Sequence, residues 1–443
     1  MSRTYELDPY GVKWMGAVPG IWSVEPTKRH YDIQLGKMLQ NDPTSDTDRM
    51  VPYFKALHVL WGTINANDLP DMWAGPSEVR QYGVQNGDLL VCEGGKVGRA
   101  GIVSAAPVDS IIQNALHRVR AKTTGDVRFL MYVLHSVSSA GWFDVLCNRA
   151  TIAHFTGEKF AALRIPSPLL DEQRAIASYL DRETARIDAL IEKKQRQIEP
   201  LQEKRAALIS HAVTKGLDSN VPMKDSGIEW LGKNPAHWEV PPLYARYSVE
   251  LGKMLDAKRI IGNRLLPYLR NVDVQWDRVN VDNLPEMDIA PDEYTRFTLE
   301  EEDLLVCEGG EVGRTAIWRS ELPVCAFQKA IHRVRPRSER DLPRFFYYVM
   351  RAAASSGIFL ALGNPNTIPH LTAEKLRVYR FGFPPFEEQQ RIVEYLEIET
   401  ARIDAMTAKV GESIEKLHEY RTALISAAVT GKIDVRKEAS HAV

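Results

Sequence analysis

One stretch of this chain is written twice, and the repeat restricts the fold more than any other feature. Residues 171–215, DEQRAIASYLDRETARIDALIEKKQRQIEPLQEKRAALISHAVTK, and residues 387–431, EEQQRIVEYLEIETARIDAMTAKVGESIEKLHEYRTALISAAVTG, are identical at 25 of 45 positions when offset by 216. Two unrelated amphipathic helices would not share so much, so the chain carries an internal duplication. Each copy follows a longer and less similar segment. The sequence therefore describes two globular units, each with one long helix.

The helix copies share a heptad seam. In the first, Ile187, Ile191, Lys194, Ile198, Leu201, Arg205, Leu208 and Ala212 recur in steps of four and three; Ile403, Thr407, Val410, Ile414, Leu417, Arg421, Leu424 and Ala428 keep the same phase in the second. Such a seam needs a partner helix, and the simplest partner is the other copy. Acidic residues open both helices (Asp171 and Glu172; Glu387 and Glu388), and Gly216 and Gly431 close them. Two domain-plus-helix copies can pair about a pseudo-twofold axis. The helices then run antiparallel as a coiled coil, with the globular units held apart at opposite ends. From Arg186 to Val213 the shared rod would be about 42 Å long. That is near one turn of B-DNA, roughly 34–36 Å. Periodicity alone favours a simple packing or dimerisation element; the duplication shifts the balance toward a spacer. Pro200 interrupts the first seam where the second has Lys416. A proline inside a helix costs on the order of 3 kcal/mol, so a bend is predicted near Gln197 in the first helix and none in the second.

Composition narrows the class. The 443 residues suffice for two or three domains, with 26% charged and 44% hydrophobic residues. No apolar run approaches a membrane span, and the N-terminal MSRTYELDPYGVKWMG has no signal core; a cytoplasmic protein without membrane contact is expected. Cys92, Cys147, Cys307 and Cys325 form no CxxC and read as buried free thiols, with no metal site. The net charge is −2, and residues 1–170 carry 17 basic and 16 acidic groups, residues 216–386 22 and 23. Nucleic-acid binding would need charge sorted onto one face.

The globular segments repeat in pieces. GVKWMGAVPGIWSVEP at 11–26 returns as GIEWLGKNPAHWEVPP at 227–242, matching Trp14, Gly16, Pro19 and Trp22 to Trp230, Gly232, Pro235 and Trp238; these read as turns that dock each unit against a helix end. LGKML recurs with Lys37 and Lys253 just after a predicted strand, and VPYFKALHVLWG returns as LPYLRNVDVQWD with Arg270. Residues 40–86 and 256–301 otherwise diverge, as expected if the two units read different things. The best-kept stretch, DLLVCEGGKVGR at 88–99 and DLLVCEGGEVGR at 303–314, predicts a hairpin with a Gly-Gly turn. It is no phosphate loop, lacking GxxxxGK[ST], yet Arg99 and Arg314 are candidate phosphate contacts. In QNALHRVR and QKAIHRVR, strand alternation sets His117 and Val119 on one face and Arg118 and Arg120 on the other, with Arg333 and Arg335 equivalent. Those arginines face either DNA or solvent. Residues 127–143 and 342–360 read as helices. The polar segments before each long helix, NRATIAHFTGEKFAAL and NPNTIPHLTAEKL, supply Arg149, Thr151, His154 and Lys159, and Asn366, Thr367, His370 and Lys375, all suited to groove or phosphate contact.

In this order, duplicated, the motifs resemble the specificity subunit of type I restriction–modification enzymes. The likeness rests on the paired GDLLVCEGGKVGR and EDLLVCEGGEVGR stretches, the proline-rich segments ending in Glu172-Gln173 and Glu388-Gln389, and the TARIDA and ALIS…AVT helix blocks. It covers nearly the whole chain; Pro200 is the departure. The resemblance implies an α+β protein with target-recognition domains at 1–165 and 216–383, spacer helical regions at 166–215 and 384–435, and a tail at 436–443. It implies that each recognition domain reads one half of a split double-stranded DNA target while the helices fix the gap. The helices would dock two modification subunits, which hold the S-adenosylmethionine and methylate adenine, and through them the restriction subunits. This chain itself would carry no cofactor and no catalysis. Two rivals remain: a coiled-coil scaffold that binds only protein, and a stand-alone DNA methyltransferase. The latter needs an (N/D)PP(Y/F) tetrapeptide, and the nearest strings are Phe383-Pro384-Pro385-Phe386 and Asp8-Pro9-Tyr10.

Overall fold

The computed structural model describes residues 5–6, 14–147, 154–255, 262, 264–361 and 370–435. The chain divides into two compact units, Met1–Lys194 with Glu412–Val443, and Gln195–Gly411. Each unit thus joins a globular segment, part of the long helix that follows it, and part of the other long helix.

In the first unit the apolar run Leu89–Cys92 is buried at all four positions, so it takes the centre of a five-stranded sheet. The order is Tyr31–Leu35, Leu116–Ala121, Leu89–Cys92, Ala100–Ile102, Gly62–Thr63. A second sheet runs Ile111–Ile112, Arg49–Phe54, Asp71–Ala74. The second unit repeats this plan. Its sheets run Tyr247–Leu251, Ile331–Pro336, Leu304–Cys307, Thr315–Ile317, and Glu286–Asp288, Leu265–Leu269, Ala326–Phe327. Registers match: His117 pairs Leu35 and Val91, as His332 pairs Leu251 and Val306. The divergent segments differ in detail. Gly62–Thr63 adds an edge strand parallel to Ala100–Ile102, whereas Val274–Gln275 and Arg278–Val279 make their own small hairpin. One helix backs each main sheet, Val127–Ser139 and Pro343–Ser355. The first is capped by Asp126, which accepts from the Arg128 and Phe129 amides; the second starts on a proline, which needs no amide partner there.

The long helices span Leu170–Lys215 and Phe386–Val429. Ile187, Ile191, Ile403, Ile414 and Leu424 are buried, and Ile198, Leu201, Leu208, Val410 and Leu417 half-buried, so every apolar seam position is withdrawn from solvent. The helix is continuous through Pro200. Inside each unit the two helix segments run antiparallel. In the second unit a Cβ on Gly216, just past the end of one helix, would lie 3.3 Å from Glu388 at the start of the other. Further along, Arg205 Nε donates to Asp404 Oδ1 at 2.9 Å and Nη2 to Oδ2 at 3.2 Å. The first unit holds the same pair, offset by 216: Arg421 Nε donates to Asp188 Oδ1 at 2.9 Å and Nη2 to Oδ2 at 3.3 Å.

The tryptophan turns dock at helix ends, as their repetition suggested. The Trp22 indole donates to Glu172 at 3.0 Å, and Pro19 and Trp22 lie against Gly431. Trp238 donates to Glu388 at 3.2 Å and, with Pro235, lies against Gly216. Gln173, 2% exposed, accepts from the Asp126 amide at 3.0 Å and donates to Thr124 O and Pro168 O; the fully buried Gln389 does the same for Leu342 N, Arg340 O and Pro384 O. Each glutamine binds the start of a long helix to the start of the sheet-backing helix.

Candidate nucleic-acid interface

Three strips that are distant in sequence meet at one edge of each unit. The Gly-Gly turn of the hairpin is the middle strip; Gly95 and Gly98 take φ of +71° and +74°, Gly310 and Gly313 +72° and +82°, conformations that favour glycine. On one side lie the short turns Ala56–His58 and Asn271–Asp273. Arg99 Nη2 donates to Ala56 O at 2.8 Å; Arg314 Nη2 donates to Asn271 O at 2.9 Å, and Asn271 Nδ2 returns a bond to Gly309 O at 3.0 Å. On the other side comes the segment before each long helix. Phe155 N donates to Glu93 O and Leu371 N to Glu308 O, both at 2.8 Å. The rings of His154 and His370 lie over Gly94 and Gly309, where a Cβ would approach to 3.8 and 3.4 Å.

The buried strand histidines fasten this edge to the sheet. His117 Nε2 bonds Phe155 O at 2.7 Å and His332 Nε2 bonds Leu371 O at 2.6 Å. Burial lowers both imidazole pKa values, so each ring is neutral near pH 7 and uses its Nε2–H as donor. Cys92 and Cys307 lie beneath the same turns, and burial pushes the Cys307 thiol up to about 11. These are inert packing groups rather than nucleophiles. All four cysteines are free and buried. Among the described residues, no cluster of three His, Cys, Asp or Glu side chains is placed to hold a metal.

The structure sorts the candidate DNA contacts. Eight of them serve the fold instead. Lys37, 7% exposed, binds Gln40 and Glu78; Lys253 binds Asp288 O and Glu293. Arg99 and Arg314 hold the turns just described. Arg118 and Arg333, 6% and 8% exposed, donate to the Gln81 and Gly83 carbonyls and to those of Thr295 and Thr298. Arg120 and Arg335 each grip a buried aspartate with two bonds, Asp88 at 2.6 and 2.8 Å and Asp303 at 2.6 and 2.8 Å. The alternation that set Arg118 and Arg120 on one face was right. That face is largely covered, because the end of the helix Pro76–Tyr82 with Gly83, and the helix Tyr294–Phe297 with Thr298, lie over it; Arg118 and Arg333 are buried there, while Arg120 and Arg335 stay partly exposed at its edge. A carbonyl-lined, carboxylate-lined cover is what desolvated guanidinium groups require.

Arg270 is half-engaged, chelated by Asp273 yet 41% exposed in its side chain. His154, His370 and Lys375 are exposed and Lys159 half-exposed, its ammonium 3.3 Å from His154 O. Arg149, Thr151, Asn366 and Thr367 lie outside the described residues. The structure adds three positions that the pattern did not single out: half-buried Lys55, and exposed Lys96 and Lys329. At the position equivalent to Lys96 the second repeat carries the opposite charge, Glu311. That difference was legible as the single mismatch in the twelve-residue hairpin motif.

Comparisons with known proteins agree with this duplicated plan. The family model described as "Type I restriction modification DNA specificity domain" matches residues 65–200 and 252–416, once per repeat. The chain is 23% identical over 383 residues to the type I restriction enzyme MjaVIII specificity subunit of Methanocaldococcus jannaschii, covering 84% of this chain and 80% of that one. It is 22% identical over 320 residues to the StySPI specificity subunit of Salmonella potsdam, covering 70% and 67%. Among solved structures, a chain from a study of complex assembly and conformational transition in the type I R-M system superposes with a TM-score of 0.71, at 16% identity over 94% of this chain and 99% of that one. The HsdS subunit from Thermoanaerobacter tengcongensis gives 0.59 at 17% identity over 96% and 100%.

Proposed function

The chain belongs to the type I restriction–modification DNA specificity family, and from that membership we propose how its parts divide the work. It is the DNA-specificity subunit of a type I restriction–modification complex. Each globular unit reads one half of a split double-stranded target. The long helices pair as an antiparallel coiled coil, set the number of base pairs between the halves and dock two modification subunits. Those partners bind S-adenosylmethionine and methylate the adenine, and restriction subunits join through them. This chain selects DNA and catalyses nothing, and it works in the cytoplasm; no helix among the described residues is long and apolar enough to cross a membrane.

One observation carries the reading: the same edge is built twice on the same frame and furnished differently. The hairpin turn, the strand histidine and the pre-helix loop coincide in both units, while Lys96 stands where the other has Glu311 and the segments 40–86 and 256–301 diverge. A lysine donates to guanine O6 and N7, whereas a glutamate accepts from cytosine N4, so one scaffold can present two codes. The exposed His154, His370 and Lys375 and the half-exposed Lys159 supply phosphate contact and register. The pseudosymmetric Arg–Asp pairs support antiparallel helices. Binding assays test the division of labour. The chain alone should hold DNA weakly and without methylating it. Together with modification subunits it should bind one sequence selectively. A chain that never retards DNA in any combination would instead be a protein scaffold.

A further inference from the structure

Both divergent segments carry a tryptophan at the same place, Trp61 in VPYFKALHVLWG and Trp276 in LPYLRNVDVQWD. Neither reaches toward the hairpin edge alone; each lies on the helix that backs its sheet. In the first unit the Trp61 ring meets the His135 ring edge-on, 4.8 Å between centroids at 60°. His135 Nε2 lies 3.5 Å from Arg421 Nη1, and its Nδ1 lies 3.4 Å from Ser139 Oγ. Arginine can only donate, so the neutral tautomer with Nδ1–H fits both contacts. Arg421 in turn grips Asp188 with two bonds. A continuous chain of contacts therefore runs from the divergent segment, through the sheet-backing helix, to both long-helix segments of that unit.

The second unit closes the same junction with other chemistry. Arg351 replaces His135 and lies over the Trp276 ring, 4.7 Å from its centroid. The Trp276 indole donates to Glu311 at 2.5 Å, which fastens the divergent segment to the hairpin turn. The neighbouring Asp277 forms an ion pair with Arg344 at 2.6 Å, and Arg344 reaches Glu397 on the long helix at 3.1 Å. Arg351 also shares a cavity of about 400 Å³ with Arg205 and Asp404. The first unit keeps the helix end of this clamp, Arg128 to Asp181 at 2.8 Å, but has Gly62 where Asp277 would be. Different residues in one position, making one connection, argue for a retained role rather than incidental packing.

We propose that this tryptophan junction is a positioning device that fixes the reading segment of each unit against the long helices, and so sets how strictly the unit keeps its distance along DNA. The inference rests on the function proposed above. Successive base pairs are about 3.4 Å apart, less than the width of an indole ring. Removing the ring leaves room for the reading segment to shift by one step. His135, Arg351 and the tryptophans act through the segments they hold and need touch no base.

The test uses the full chain assembled with its modification subunits. Methylation is measured on the native split target and on targets with one base pair added to or removed from the gap. Trp61→Ala is expected to raise methylation of the altered-gap targets relative to the native one about tenfold, with mismatches inside either half still rejected; Trp61→Phe is expected to retain the strict ratio. His135→Gln, which keeps an acceptor for Arg421 but loses the ring contact, is the second variant should Trp61→Ala fold poorly, and it is expected to relax the ratio as well. A uniform loss on all targets, or an unchanged ratio in the folded variants, would overturn the junction's role. If the wild-type assembly methylates no split target at all, the proposed function fails, and the inference with it.

Discussion

At the residue scale the basic side chains divide by what surrounds them, and the division makes opposite predictions for two lysine–arginine sets. The exposed Lys375 and the half-exposed Lys159 lie in the segments that border the hairpin edge. Replacing either with alanine should weaken DNA binding evenly across sequences and lower the slope of log K against log salt by about one, while melting stays unchanged. Arg118→Ala should do the reverse: it strips the Gln81 and Gly83 carbonyls at a helix end of their donor and destabilises the fold by about 1–3 kcal/mol, with no change in salt slope for the protein that remains folded. Sequence periodicity correctly put Arg118 and Arg120 together, yet it could not show the helix end that covers them, because residues 81–83 carry no signal of where they fold. His135 gives a pH prediction. Burial, and then Arg421, push its pKa down to about 4 from 6.5. The unfolded chain therefore binds a proton through the window from 6.5 to 4 that the folded chain refuses. Stability is then present above 6.5 and lost as pH falls, by about 2 kcal/mol between pH 7 and pH 5. Urea unfolding at the two pH values should show that loss, and His135→Gln should largely remove it.

At the element scale the long helices were the most legible part of the sequence. Every apolar position that their heptad phase named is buried or half-buried, although it passed over Ile209, Val213, Ile425 and Val429, which are buried too, and the duplication implied the antiparallel pairing that each unit contains. The polar positions in that seam were less informative. Arg205 and Arg421 occupy core phase, and only the structure reveals that each reaches across to an aspartate of the partner helix. Such exposed pairs contribute about 0.2–1 kcal/mol, but they specify register. Arg421→Asp should lower the melting temperature by a degree or two, and adding Asp188→Arg should restore it; a double variant worse than the single one would deny the pairing. Pro200 leaves the helix continuous but provides no amide to the turn before it. Pro200→Lys, which installs the residue found in the second helix, should therefore stabilise the chain by up to about 3 kcal/mol, read as a rise in urea midpoint without a change in slope. The bend expected near Gln197 belongs to the same proposal and should straighten in that variant.

At the scale of the whole molecule the repeat governs what can be understood from sequence alone. Two copies of one plan, each with its hairpin, strand histidine, pinning glutamine and long helix, were visible as matched strings. What each copy reads was not visible, since that lies in segments 40–86 and 256–301, where the copies part company and only loop geometry places a side chain. The near-zero net charge likewise hid the interface: Arg120, Arg246, Arg270 and Arg335 neutralise buried aspartates, and Arg118 and Arg333 bind carbonyls beneath the surface, so a simple count of charges describes the core as much as the surface. As proposed above, the two units are independent readers of two half-targets. Mapping methylated adenines in a cell that carries this gene with its partner subunits tests it most directly, first with the native chain and then with residues 1–170 exchanged for those of a relative. Independent readers should give one split motif, and after the exchange a change confined to one half, with the other half and the gap preserved. An unbroken motif, or an exchange that alters both halves together, would contradict it.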